Sequence, residues 1–292
     1  MPSAAQKADL FAPLPRLKPR DFERVRELAA REFGLDLKPG KEELVSARLG
    51  KRLREGGFGS FDDYFEHVRR DRTGESLVAL IDALTTNYTS FLREPSHFDC
   101  LRDQVLPALG ARREISLWCA AAATGEEPYT LAFVLLEALR GPARPAVRIL
   151  ATDISTRALG QAAQGIYSEQ RLAGLPQKWR GQYFQREAGG GWRVRPEVRR
   201  LIEFRRLNLI DRYRLGRRFP VIFCRNVMIY FNTETRRQVV GRLIEHLEPG
   251  GYLFVGHSES LAGRDHPLHY VKPAVYQKEM TGRAGGGKGA AG

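Results

Sequence analysis

The sequence is poor in several features that would fix its class at once. Three cysteines occur in 292 residues, Cys100, Cys119 and Cys224, without paired or C-x-x-C spacing. That excludes a disulfide scaffold and makes a reducing compartment the expectation. No apolar run approaches the roughly 18 residues of a membrane span. The opening stretch "MPSAAQKADLFAPLPRLKPR" lacks a signal-peptide core, so a soluble, cytoplasmic chain is expected. No P-loop, G-x-S-x-G elbow or zinc motif is present. The six histidines are scattered, and His257, His266 and His269 lack metal-site spacing with cysteine or carboxylate, so no metal is expected. Trp118, Trp179 and Trp192 stand alone and read as packing residues rather than a base-stacking platform.

Positive charge, by contrast, is plentiful. The formal net charge of +13 is spread along the chain, which points to a folded basic surface and an acidic partner. Nucleic acid, anionic lipid and an acidic protein surface all fit that description. Residues 1–18 read as a flexible lead-in and 281–292 as a disordered Gly/Ala tail. Residues 19–85 carry helical stripes: Phe22, Val25, Ala29 and Phe33; Leu44, Val45, Leu49 and Leu53; Tyr64, Phe65 and Val68 behind an S-x-x-D cap; and Leu77, Leu80, Ile81 and Leu84. Residues 86–95 form a linker. From 96 to 280 strand-like and helix-like segments alternate, which predicts an α/β fold with a doubly wound, mostly parallel sheet. "QYFQREAGGGWRVRP" breaks the alternation and reads as an antiparallel hairpin subdomain inserted at about 177–206.

Ligands of such sheets lie beyond the carboxyl ends of the strands. One strand end carries "ATGEEP", where a pyrophosphate would need several glycines but finds only Gly125 beside Glu126 and Glu127. Two acids there either complement the helix dipole or receive a cationic group. S-adenosylmethionine, a nucleoside with an ammonium and no phosphate, meets the second requirement. Asp153 ends the next strand, where an acid takes ribose hydroxyls or caps the following helix. Arg48, Lys51, Arg52 and Arg54 crowd one helix, with the first three on one face, either as a solvated surface or as a recognition face.

Taken in order, "LTTNYTSFLREPSHF", "WCAAAATGEEPYTLA", "ATDIS", "FCRNVMIYF" and "GYLFVGHSES" resemble the chemotaxis receptor glutamate methyltransferases (CheR-type), from about Asp21 to Lys278. The resemblance implies a helical N-terminal domain and a class I, Rossmann-like domain that uses S-adenosylmethionine and yields S-adenosylhomocysteine. It implies cofactor contacts from Asn87, Thr89 and Arg93 in the linker, and from Ala121 and Glu127, with Glu127 rather than Glu126 on the ammonium. Asp153 would hold the ribose, Asn208 and Leu209 would flank the adenine, and Arg225 and Asn226 would close the methionine end. Tyr230 would lie beside the transferred methyl, and Arg93 and Tyr230 would orient the reactants without transferring protons. Arg48, Lys51, Arg52 and Arg54 would read the acidic methylation helices of chemoreceptors. The implied enzyme is a cytoplasmic monomer associating with receptor arrays at the membrane without inserting into it. Methylation of nucleic acid and a noncatalytic cofactor-responsive adaptor are the competing readings; no D/N-P-P-Y/F motif supports the first. The loop around Glu187 to Gly191 is shorter than in tail-tethered relatives, so no receptor C-terminal tether is expected.

Overall fold

The computed structural model describes residues 17–85, 88–141, 144–261 and 266–280. The expectations for the two tails and for Asn87 fall outside them, apart from residues 17 and 18. The first helices are α1 (Pro19–Phe33), α2 (Glu42–Gly56), α3 (Phe61–Arg70) and α4 (Glu75–Leu84). Their apolar stripes meet in one core, with Val25, Ala29, Leu49, Leu53, Leu80 and Ile81 almost wholly buried. Each such aliphatic side chain larger than alanine contributes about 1.5–3 kcal/mol on burial. The α3 cap is the expected one, with Ser60 Oγ accepting from the Asp63 N–H at 3.1 Å. Leu44 departs from its expected stripe and is exposed, since the core side of α2 is set by Val45, Leu49 and Leu53.

After the linker, α5 runs from Ser96–Cys100 through a π turn at Leu101–Val105 to Leu106–Ala108. Then follow β1 (Glu114–Cys119), α6 (Glu126–Ala138), β2 (Ala146–Asp153), α7 (Thr156–Gln164), β3 (Ile166–Tyr167), α8 (Gln177–Tyr183), β4 (Phe184–Arg186), β5 (Trp192–Val194) and α9 (Pro196–Arg199). The chain continues with β6 (Ile202–Arg206), β7 (Phe219–Cys224), α10 (Thr233–Glu245), β8 (Leu247–Val255), β9 (Leu268–Lys272) and β10 (Val275–Lys278). The large sheet has the order β6-β2-β1-β7-β8-β10-β9. β6, β2, β1, β7 and β8 are mutually parallel, while β10 runs against both its neighbours. β1 and β7 are buried almost throughout, as strands covered on both faces must be. One core cluster joins α6, α5 and the small sheet to the large sheet; a second packs α10 on it.

The inserted subdomain differs in extent from the expected 177–206. It is a three-stranded antiparallel sheet of order β3-β5-β4, so it begins at Ile166. Residues 202–206 belong to the large sheet, paired in parallel with β2. A two-residue strand offers too little alternation to be read from sequence, and β6 follows the insertion so closely that the two merged.

The helical domain closes onto the carboxyl end of the large sheet. Leu35 bridges Phe231, and the Asp36 N–H donates to Tyr230 O at 2.8 Å. Asn208 Nδ2 donates to Glu32 O at 2.8 Å. A pocket therefore opens at the seam, with Leu35, Leu84 and Thr85 on one wall and Ala121, Asp153 and Tyr230 on the other.

Candidate active site

The strand order reverses between β1 and β7, the place where open parallel sheets hold ligands. β1 ends at Cys119, and the chain turns through Ala123 in the left-handed region (φ 46°) and Gly125 (φ 97°) into α6. A Cβ on Gly125 would sit 2.8 Å from both Tyr167 Oη and Ala162 Cβ, so this tight turn requires glycine.

The two glutamates of the turn go separate ways. Glu126 is fully buried, accepts from the Thr124 hydroxyl at 2.7 Å, and pairs with Arg171 from the Glu169–Leu172 turn. Tyr167 Oη adds a bond to Thr124 O at 2.8 Å. Glu126 thus fastens the turn to the antiparallel subdomain; the cationic group it receives is the chain's own Arg171. Burial raises its pKa against the opposing pull of Thr124 and Arg171. Glu127 lines the pocket; its Oε1 accepts from Cys119 Sγ at 3.3 Å and its Oε2 from Arg225 Nη1 at 2.7 Å. Burial likewise raises its pKa, with Arg225 opposing.

Arg225, buried at the end of β7, is the hub of the site. Its Nη2 donates to Arg93 O at 2.6 Å and to Glu94 Oε2 at 3.0 Å. The guanidinium carbon lies 5.5 Å from the centre of the Phe98 ring. Glu94 also accepts from Asn226 Nδ2 at 3.1 Å and from the His257 N–H at 3.3 Å. Burial opposes ionisation of Glu94, but Arg225 and Asn226 outweigh it and leave the pKa lowered. Two carboxylates thus share one guanidinium beside the pocket. His257 meets His97 and Glu94, not His266 and His269. His97 is fully buried, and burial followed by the nearby Arg225 charge lowers its pKa to about 3, so the ring is neutral.

Asp153 lies at the pocket floor. Its Oδ2 accepts from the Ala123 N–H at 2.8 Å and its Oδ1 from the Ser155 N–H at 2.9 Å. Ser155, not Asp153, caps α7. Burial raises the Asp153 pKa, while those backbone donors oppose it. The expected residues Ala121, Thr89, Arg93, Asn226 and Tyr230 all line the same hollow, which extends into an apolar slot formed by Ile154, Leu207, Leu209 and Phe33, with Asn208 at its edge. Arg93 Nη1 donates to Tyr88 O at 2.9 Å, and the Tyr88 side is open to solvent. Leu92, Glu94, Ala123 and Asn226 are non-glycine residues at positive φ (55°, 57°, 46° and 58°), and all four belong to this region. Conformations of that kind cost about 1–3 kcal/mol each and persist where their surroundings fix them.

The basic face of α2 is less uniform than its spacing implied. Arg48 Nη1 donates to Leu84 O at 2.6 Å, which ends α4 and leads into the linker. Arg52 interacts with Tyr64 and lies 3.8 Å from Glu55. Lys51 and Arg54 are exposed. Sequence reasoning missed Glu94, Arg171 and the buried Glu259, because each acts through a partner distant in the chain.

The sheet order, the acid ending β2 and the glutamate-bearing turn after β1 together define a class I methyltransferase whose cofactor is S-adenosylmethionine. The residues present fit that cofactor: a carboxylate that can face an ammonium, an acid for ribose hydroxyls and an apolar slot for a base. The family model described as "CheR methyltransferase, SAM binding domain" matches residues 87–276, and "CheR methyltransferase, all-alpha domain" matches residues 20–85. The chain is 42% identical over 260 residues to "Chemotaxis protein methyltransferase 2" of Pseudomonas aeruginosa, covering 88% of this chain and 92% of that protein. It is 35% identical over 266 residues to "Chemotaxis protein methyltransferase" of Borreliella burgdorferi, covering 88% and 94%. The chain belongs to the CheR methyltransferase family. No helix among its described residues is long and apolar enough to cross a membrane.

Proposed function

We propose that this enzyme transfers a methyl group from S-adenosylmethionine to the γ-carboxylate of glutamates in chemoreceptor cytoplasmic domains, giving glutamyl methyl esters. The observation that carries this reading is the make-up of the pocket. Its described lining includes Arg93, Arg225 and Tyr230 but no histidine, lysine or cysteine, and its two carboxylates are already engaged, Glu127 by Arg225 and Cys119 and Asp153 by the Ala123 and Ser155 amides. An amine or alcohol acceptor needs a base, whereas a glutamate carboxylate, with a pKa of about 4.3, is already ionised at neutral pH.

When bound, the cofactor supplies a methyl group activated on a sulfonium. Glu127 would receive the ammonium, Asp153 the ribose hydroxyls, and the slot beside Asn208 and Leu209 the adenine, with Ala121, Asn87 and Thr89 adding contacts. Arg225, held between Glu94 and Glu127, fixes the end of the linker, so that Arg93 stands at the mouth. Arg93 and Tyr230 would orient the incoming carboxylate, and closure by the helical domain excludes water that would otherwise mask the nucleophile. Lys51 and Arg54, with Arg52 beside them, would meet the acidic receptor helices, as a monomer docking at the receptor array from the cytoplasm.

Incubation with methyl-labelled cofactor and receptor cytoplasmic domains, followed by base treatment, tests the reading. Ester label leaves as methanol; base-stable label, or label in nucleic acid alone, refutes it.

A further inference from the structure

A further carboxylate, Glu259, lies against the pocket residues without lining the pocket. It is fully buried in the loop after β8. Its Oε2 accepts from the backbone N–H of Asn226 at 2.7 Å and of Gly256 at 2.6 Å, and its Oε1 accepts from the Ile229 N–H at 3.1 Å. Asn226 opens the turn after β7 in the left-handed region, with φ 58°. Ile229 belongs to the 3₁₀ turn Met228–Tyr230 that carries Tyr230. The cradle is closely packed: a Cβ on Gly256 would stand 2.7 Å from Glu259 Oε2 and 2.6 Å from Asn226 Nδ2.

A carboxylate is an acceptor only, so it suits a cluster of converging N–H groups as no neutral side chain of that size does. Here it collects amides from the start and from the far part of the single turn that presents Asn226 and Tyr230 to the pocket. The other end of that turn is tied to the helical domain by the Asp36 N–H on Tyr230 O. Preorganisation of reacting groups requires placement to within about 0.5 Å, which rotamer and backbone restraints of this kind supply.

We propose that Glu259 is a positioning residue for methyl transfer, holding the Asn226 to Tyr230 turn in its strained, productive form. The inference rests on the reading of Tyr230 as a group beside the transferred methyl. Glu259→Gln preserves size but presents amide N–H donors to a cradle of donors, so at most two of the three backbone amides stay bonded. Three measurements on the full-length enzyme test it: hydrogen exchange over residues 225–231, steady-state kinetics with labelled cofactor and a receptor cytoplasmic domain, and a double-mutant cycle with Tyr230→Phe.

The expected result is faster exchange at Asn226 and Ile229. It also includes a fall in kcat of more than fivefold with receptor KM within threefold, partial recovery in Glu259→Asp, and less than threefold further loss when Tyr230→Phe is added. Gly256→Ala, whose Cβ would crowd both the carboxylate and Asn226 Nδ2, should likewise speed exchange in the turn, and Glu259→Asp carries the kinetic test if Glu259→Gln does not fold. A smaller fall in kcat, or losses that multiply in the double variant, overturns the proposal while an impaired Tyr230→Phe leaves the reading of Tyr230 standing. A Tyr230→Phe enzyme with wild-type kcat overturns both.

Discussion

Replacing Arg225 by Met would remove the charge that two carboxylates share while nearly preserving volume. Glu127 and Glu94 would lose bonds of 2.7 and 3.0 Å, and Arg93 O would lose one of 2.6 Å. Removing one partner of a buried ion pair costs about 3–5 kcal/mol, and the stranded carbonyl places this case at the upper end. At about 2–4 °C per kcal/mol for a domain of this size, the melting temperature falls by roughly 10–20 °C. The sign of the pH dependence follows from Glu127, whose folded pKa lies above its unfolded value because of burial. The stability such a group contributes is complete below the unfolded pKa and is lost as pH rises through the folded one. Without Arg225 that folded value climbs further. Glu94 at the same time loses the partner that holds its pKa down and that stabilises the fold at neutral pH. The deficit relative to wild type therefore grows between pH 5.5 and pH 8, which paired thermal melts at the two values read directly. Adding Glu94→Gln removes one stranded charge and restores part of the loss. A fall under 3 °C at both pH values, or a larger deficit at pH 5.5, would refute Arg225 as the charge keystone.

Other expectations follow from the same geometry. Asp153→Asn weakens S-adenosylhomocysteine binding by about 1.5–3 kcal/mol, or roughly ten- to 150-fold in Kd by calorimetry, and an unchanged affinity removes Asp153 from the ribose site. Lys51→Ala combined with Arg54→Ala slows receptor methylation and flattens its salt dependence while cofactor binding is spared; an unaltered salt response would make these residues a solvated surface. Arg48→Ala acts differently, costing about 1 kcal/mol of stability through the lost bond to Leu84 O, as thermal melts would register. Because the turn after β4 is short, deleting a cognate receptor's last residues leaves methylation within twofold, and micromolar binding of that tail peptide would contradict the expectation.

Local signals in the sequence carried the fold a long way. Helical stripes, strand alternation and the glycine-poor "ATGEEP" turn are short-range features, and the elements they indicated are present. The residues expected around the cofactor also converge where described, because strand ends in a parallel sheet bring distant motifs to one edge. What stayed hidden depends on partners far along the chain. Glu126 and Glu127 are adjacent and chemically alike, yet one reaches Arg171 and the other Arg225. The family resemblance separates them; local chemistry does not. Arg48 shares helical spacing with Lys51 and Arg52, but its proximity to the end of α4 arises only when the helices pack. Glu259 sits in a polar strand exit, and two of the three amides it gathers come from a turn some thirty residues earlier.

The seam between the helical domain and the sheet has a bearing on how such enzymes can diversify. Leu35, Leu84 and Thr85 face the same hollow as Asp153 and Tyr230, and Glu32 and Asp36 bond directly to Asn208 and Tyr230. The half proposed to read receptors is therefore also a wall of the chamber proposed for the cofactor. A lineage that remodels its helices to follow a new receptor changes the chamber in the same stroke, so target choice and cofactor grip are inherited together. Chimaeras that graft a foreign helical half onto this sheet would be expected to lose cofactor retention unless the seam residues travel with the graft.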